Sequence, residues 1–212
     1  LYAMDLKIID NFFSKEDFEN LCKIKLLKVS ENEIKVYHNK IYRDGKIETS
    51  ECINEVFLRK LFDNYNKKTL NILNDLCPEK ISLYEYSEFH IIETGSKYKF
   101  PIHDDTPNKL LSGVIYLKPE KNSGTLFYSS KKGDDKNEIE WKQNRAVFFS
   151  RKEKKTWHSY EGNGSTNRIA LVYNLMTSKI KDVANIEKVG YLSSLLRYKL
   201  NPYIYRFLKK TI

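Results

Sequence analysis

The sequence predicts an α+β fold that is mainly β, with N-terminal helices packed on one sheet of a sandwich or jelly roll and a helical extension after it. Two changes of period predict this. Apolar residues recur at helical spacing in two early segments, and from about residue 81 the spacing drops to two in a series of short segments rich in Tyr, Phe, Ile and Val. Beyond residue 183 the helical spacing returns.

Residues 7–13, Lys-Ile-Ile-Asp-Asn-Phe-Phe, read as a short strand and turn. Ser14 followed by Asp17 resembles a capping box, and Phe18, Leu21, Cys22, Ile24 and Leu26 then place a helix over about 15–27. Residues 33–43, with Ile34, Val36, Tyr37 and Ile41, read as strand. A longer helix covers 51–76, its buried stripe Ile53, Phe57, Leu61, Leu70 and Leu73, and Pro78 closes it. Strands are expected at 81–93, 98–104, 111–118, 124–129, 145–150, 155–160 and 167–176, separated by turn signals such as Thr94-Gly95-Ser96 and Gly162-Asn163-Gly164. Residues 183–212 read as helix interrupted at Asn201-Pro202. No repeat or low-complexity linker divides the chain. One domain is expected, with 1–178 as its body and 179–212 as a basic amphipathic extension of it.

A chain of 212 residues suits one domain with a substantial core. Its 41% apolar and 13% aromatic content excludes a disordered chain. No apolar run approaches the roughly 18 residues of a membrane span, and the opening residues lack the charged and apolar regions of a secretory signal. A cytoplasmic protein with Cys22, Cys52 and Cys77 as reduced thiols is the expectation. Net charge is +9, but 188–212 holds Lys188, Arg197, Lys199, Arg206, Lys209 and Lys210 without one acid. The body is only mildly basic, so nucleic acid is disfavoured as a partner. Residues 183–200 are expected to pack on the body or on a second copy, which leaves a homo-oligomer open, with 203–212 peripheral.

The chemistry concentrates in Phe100-Pro101-Ile102-His103-Asp104-Asp105. On a strand or its extended end, residues i and i+2 share a face, so His103 and Asp105 can hold one metal while Asp104 points away. His158, in Thr156-Trp157-His158-Ser159-Tyr160, supplies a third ligand. Two imidazoles and one carboxylate leave coordination positions open, as non-heme iron(II) oxygenases require. Alone, the His-x-Asp pair fits a surface loop with a satisfied histidine equally well. Arg168, ten residues after His158 at the head of an apolar strand, narrows the choice. Burying a guanidinium is costly without an anion, and its planar fork suits a carboxylate.

In this combination the chain resembles the iron(II)/2-oxoglutarate-dependent dioxygenases, most closely the prolyl-hydroxylase-like branch, over roughly residues 7–176. Ile9-Asp10-Asn11-Phe12-Phe13-Ser14 is similar to that family's entry segment. Gly113-Val114-Ile115-Tyr116-Leu117 resembles its core strand bearing a cosubstrate-binding tyrosine. Ser123–Phe127 and Arg145–Ser150 resemble the strands that follow. The resemblance implies a double-stranded β-helix, cupin-like, with iron(II) on His103, Asp105 and His158. It also implies 2-oxoglutarate held by Arg168 and Tyr116, O2 as co-reactant, and ascorbate as a candidate accessory reductant. The implied activity couples decarboxylation of 2-oxoglutarate to succinate with hydroxylation of a peptide or protein side chain or a small metabolite. There are departures. Ile92 and Glu93 stand where many such enzymes carry another tyrosine. Asn174 stands where nucleic-acid dealkylases carry a second arginine. Asp105 speaks against a halogenase.

Other residues have simpler expectations. His90 and His38 read as sheet histidines, and Trp157 and Trp141 as packing. The run Arg151–Lys155 reads as a solvated basic loop. Two rival functions remain. One is a metal-binding module without turnover. The other is a zinc hydrolase on the same triad, which leaves Arg168 without a role.

Overall fold

Ser14 opens the first helix as the capping spacing predicts: its hydroxyl accepts the Asp17 N–H at 3.1 Å. The computed structural model describes residues 5–208. In chain order the elements are β1 (Lys7–Ile9), α1 (Lys15–Lys23), β2 (Ile34–Tyr37), β3 (Lys40–Tyr42), β4 (Ile47–Glu48), α2 (Glu55–Leu76) and a 3-10 turn (Pro78–Leu83). Then come β5 (Tyr86–Thr94), β6 (Lys99–His103), β7 (Lys109–Lys118), β8 (Thr125–Tyr128), β9 (Asn137–Ile139), β10 (Ala146–Phe149), β11 (Trp157–Glu161) and β12 (Arg168–Met176). Two helices finish the described chain, α3 (Ile180–Glu187) and α4 (Tyr191–Leu208).

The strands form two antiparallel sheets. The larger runs β1-β10-β7-β12-β5-β3-β4, with β2 also on β5, and the smaller runs β6-β11-β8-β9. Strict alternation gives the larger sheet two different faces. Along β12, Ile169, Leu171, Tyr173 and Leu175 pack with Leu58, Leu61, Tyr65 and Leu73 of α2, while Arg168, Ala170, Val172, Asn174 and Met176 face a cavity on the other side. β5 divides alike: Phe89 and Ile91 go to the helices, and Glu88, His90, Ile92 and Thr94 to the cavity. The helical layer thus supplies a rigid apolar back to the sheet that carries the polar face. Gly113 is required where β7 passes β10, since a Cβ there would lie 2.2 Å from the Phe148 ring and 2.7 Å from the Tyr173 carbonyl.

Several boundaries differ from expectation for identifiable reasons. The long helix starts at Glu55 rather than 51, because Asn54 caps it by accepting the Phe57 N–H at 2.8 Å. Pro78 opens a 3-10 turn over part of the expected 81–93 strand, its fixed φ being suited to a first helical turn. The expected 33–43 strand splits at His38-Asn39, where Asn39 bonds Tyr37 O, Phe89 O and Ser50 through its side chain. β4 and β9 are short and polar and carried no period. The helix α4 runs through Asn201-Pro202 without the expected break. Contacts on both sides of the proline hold it: Arg197 and Asn201 are buried, and Tyr205 stacks on Phe100 at 5.0 Å. Tyr205 is therefore not peripheral, whereas Tyr203, Phe207 and Leu208 are exposed as expected, and Lys209 and Lys210 lie outside the described residues. No helix among the described residues is long and apolar enough to cross a membrane.

Candidate metal centre and its pocket

The two sheets face each other across a cavity of about 490 Å³. His103 at the end of β6 and His158 on β11 are direct cross-strand partners. The register between these strands slips beside Pro101, a residue without an N–H to give to the ladder. The two imidazoles lie with ring centres 4.1 Å apart. Asp105, just past β6, places its oxygens 3.9 Å from each Nε2, and the potential ligand atoms of all three residues lie within 4.8 Å of one another.

Backbone carbonyls set the tautomers. His103 Nδ1 lies 3.0 Å from Pro101 O and His158 Nδ1 lies 2.8 Å from Thr156 O. A carbonyl only accepts, so each Nδ1 carries the proton and each Nε2 presents a lone pair to the shared space. Burial, and then the neighbouring His158, hold His103 down to about 3, so it stays in the neutral, ligating form. Burial opposes the charge on Asp105, but Lys109 and the two imidazoles outweigh it and keep the carboxyl well below the ordinary range. Lys109 Nζ donates to Asp105 Oδ1 at 2.6 Å, and the Ser112 hydroxyl donates to Oδ2.

Asp104 turns the other way, into a buried ionic cluster. It accepts the Lys154 N–H at 2.7 Å and the Thr156 hydroxyl at 2.6 Å. Around it Arg151 pairs with Glu153 and Glu187, Lys80 with Glu187 at 2.7 Å, and Arg197 with Glu153 at 2.6 Å. Two of these arginines also hold the metal loop by its backbone: Arg151 Nε donates to Asp105 O at 3.0 Å and Arg197 to Asp104 O at 3.2 Å. The expectation of a solvated basic loop at 151–155 fails at its first residue, since Arg151 is fully buried. Glu153 in the same run and Asp104 and Glu187 from distant parts of the chain neutralise it, and no local pattern showed the last two.

Arg168 sits at the cavity wall at the head of β12, 6% exposed. Its guanidinium lies 3.9 Å from the Tyr160 ring centre and 5.3 Å from those of Tyr116 and Trp141. Among the described residues no carboxylate pairs with it, and burial lowers its pKa. A buried cation that rests on aromatic rings, has no carboxylate partner and opens to a cavity is suited to receive an anion. Tyr116 is placed otherwise than expected. Its hydroxyl donates to Thr125 Oγ1 at 3.0 Å and accepts the Thr125 N–H at 2.9 Å, and its ring stacks on Trp141 outside the cavity lining. Its hydrogen bonds are spent on joining β7 to β8. Tyr160 and Thr125 line the cavity instead. Tyr160 was findable, since it shares the face of β11 with His158 two residues earlier.

At the other end of the polar face, Glu88 and Asn174 are direct partners on β5 and β12. Asn174 Nδ2 donates to Glu88 Oε2 at 3.0 Å, and His90 Nε2 lies 3.3 Å from the same oxygen. Burial alone would push the Glu88 carboxyl up, but the His90 and Asn174 hydrogen bonds prevail and hold it at about 2. His90 is thus more than a sheet histidine, and His38 packs edge-on against it at 4.6 Å.

No protein-family model matches the chain, and no curated protein matches it in sequence. Solved structures do match its fold. A Pseudomonas putida prolyl-4-hydroxylase aligns with a TM-score of 0.57 at 13% identity, over 82% of this chain and 94% of that one. A 2OG-Fe(II) oxygenase family oxidoreductase from Burkholderia pseudomallei aligns at 0.56 and 15% identity, over 81% and 84%. A Trichoplax adhaerens prolyl hydroxylase, solved with a hypoxia inducible factor peptide fragment, aligns at 0.50 and 15% identity, over 84% and 86%. The resemblance read from the motifs is matched by a likeness of fold to that branch.

Proposed function

We propose that this chain is an iron(II)- and 2-oxoglutarate-dependent dioxygenase, a hydroxylase of a peptide or protein side chain or a small metabolite, built on a double-stranded β-helix. One observation carries the reading. A two-imidazole, one-carboxylate cluster and a buried arginine without a carboxylate partner line the same cavity. The donor set fits iron(II): both Nδ1 atoms are turned to backbone carbonyls so that both Nε2 atoms face the shared space, Asp105 is held ionised, and three protein ligands would leave coordination positions open. His103, Asp105 and His158 would hold the metal, and Arg168 would hold the far carboxylate of 2-oxoglutarate. When bound, iron and 2-oxoglutarate supply the oxidising power, releasing succinate and CO2. This chain's own residues orient and exclude. The Pro101 and Thr156 carbonyls aim the imidazoles, Ser112 and Lys109 fix the carboxylate, and Tyr160 and Phe100 wall the cavity. Residues 179–212 are read as part of the same domain, because Arg197 and Tyr205 of α4 close around the metal loop and Phe100.

The zinc-hydrolase reading shares the three ligands but gives a buried Arg168 nothing to bind. Incubating the protein with iron(II), O2 and 2-oxoglutarate separates the two readings. We expect succinate to form, to stop with a chelator, and to return with iron(II) but not zinc. Absence of 2-oxoglutarate consumption in iron-loaded, folded protein sinks the proposal.

A further inference from the structure

We infer that the end of the cavity away from Arg168 recognises a substrate through a cationic nitrogen, an ammonium or guanidinium, received by Glu88 and Asn174. This rests on reading the cavity as an oxygenase site, and it names the class of substrate that site takes.

The orientation of Asn174 is fixed by its partner. A carboxylate only accepts, so the group 3.0 Å from Glu88 Oε2 is the amide nitrogen. The amide oxygen is then left over. Asn174 is 1% exposed, its Oδ1 has no hydrogen-bond partner, and the residue lines the cavity. Native structures rarely leave a buried acceptor orphaned, and a ligand donor is one way to satisfy it.

Glu88 points to the same need. The Asn174 hydrogen bond and the close approach of His90 both fall on Oε2. His90 Nδ1 accepts the Asn39 N–H at 3.2 Å, so its Nε2 is the nitrogen turned to Glu88. Among the described residues no lysine or arginine lies within 4.0 Å of this buried carboxylate. The cation nearest in the cavity wall, Lys109, is committed to Asp105 at 2.6 Å. A buried carboxylate with no lysine or arginine in direct contact, beside an orphan amide oxygen, favours an incoming cation with more than one N–H. Arg168 lies six residues from Asn174 along the same face of β12, about 20 Å of strand. The cavity therefore places Arg168 at the end read for the cosubstrate and Glu88 with Asn174, beside the Lys109–Asp105 pair, at the end inferred for the substrate.

Binding to the full chain tests this without turnover. With Mn(II) and 2-oxoglutarate present, calorimetry compares arginine with citrulline and lysine with norleucine, each pair matched in shape and differing in charge. Short peptides with an internal Arg or Lys distinguish a protein side chain from a free amino acid as the source of the nitrogen. We expect the cationic member of a pair to bind at least tenfold more tightly, in one of the two formats. Glu88→Gln, which keeps the shape of the side chain, should shrink that ratio to within about twofold. Equal affinity within the pairs for wild type, an unchanged ratio in Glu88→Gln, or no binding of any cationic probe at millimolar concentration overturns the inference. The underlying reading fails separately, through absence of iron-dependent succinate formation, whatever the probes do.

Discussion

Arg151→Met removes the central charge of the ionic cluster beneath the metal loop while keeping most of the aliphatic stem. Lys80, Arg151 and Arg197 face Asp104, Glu153 and Glu187 there, and Arg151 is 0% exposed. The variant leaves two cations for three buried carboxylates. Breaking such a pair from one side costs about 3–5 kcal/mol, which for a chain of this length lowers Tm by roughly 6–20 °C. The double variant Arg151→Met/Glu187→Gln removes one stranded carboxylate and should recover part of that loss, a coupling that a double-mutant cycle reads directly. Urea unfolding and calorimetry give the stabilities. Mn(II) titration gives the second readout, because Arg151 Nε also holds the Asp105 carbonyl and its loss should loosen the metal loop. A loss below about 1 kcal/mol, the range of an exposed ion pair, or a cycle without coupling, refutes the view that this cluster anchors the site.

His103→Ala, Asp105→Ala and His158→Ala should each abolish iron-dependent 2-oxoglutarate consumption with the circular dichroism spectrum retained; turnover in any of them removes that residue from the triad. Asp104→Ala should unfold at markedly lower urea rather than act mildly, as the strand-face reading alone expects, because it strands the Lys154 N–H and two arginines. Arg168→Ala should weaken 2-oxoglutarate binding by about 2–3 kcal/mol, roughly 30- to 150-fold, with Arg168→Lys rescuing only part, and an unchanged affinity refutes the anion site. Tyr116→Phe should cost about 1–3 kcal/mol of stability with little change in 2-oxoglutarate affinity, and the reverse pattern restores its expected cosubstrate role. Deleting 203–212 should impair succinate formation in a folded protein, since Tyr205 covers Phe100, which packs 4.5 Å from the His103 ring; wild-type turnover would show the tail to be dispensable.

What was legible in the sequence was what depends on local period and on residue type. The i, i+2 relation of His103 and Asp105, the length of α2 and the alternation of β12 follow from neighbouring residues. The place of Arg168 at the head of β12, in the cavity wall, was legible because a lone guanidinium heads an otherwise apolar strand. Tyr116 shows the limit of such reading. Its strand was placed to within two residues, but the direction of its hydroxyl is set by Thr125, on a strand the sequence could not dock. Arg151 shows another limit. Five residues of mixed charge read as solvated loop until Glu187, thirty-six positions away, is folded onto it. The Asn201-Pro202 step looked like a stop because proline removes a helical hydrogen bond, and tertiary contacts on both sides outweigh that loss.

The same reasoning explains why the polar residues of the cavity divide by charge. His103, Asp105 and His158 belong to the smaller sheet and the loop that leaves it, while every polar group of β5 and β12 in the cavity belongs to the larger one. On that larger sheet the apolar back packs on α2, and Glu88, His90 and Arg168 fall on the cavity face. Arg168 stands at one end of β12 and Asn174, paired with Glu88, towards the other. Charges that far apart interact weakly, so on the proposed reading each end takes its counter-charge from a ligand. The proposed dianionic cosubstrate would satisfy the first. A donor-rich, cationic group would satisfy Glu88 and give Asn174 Oδ1 a donor at once, which is the pairing inferred for the substrate. On the proposed function, the order of Arg168 and Asn174 along β12 would then set the direction in which cosubstrate and substrate lie across the cavity.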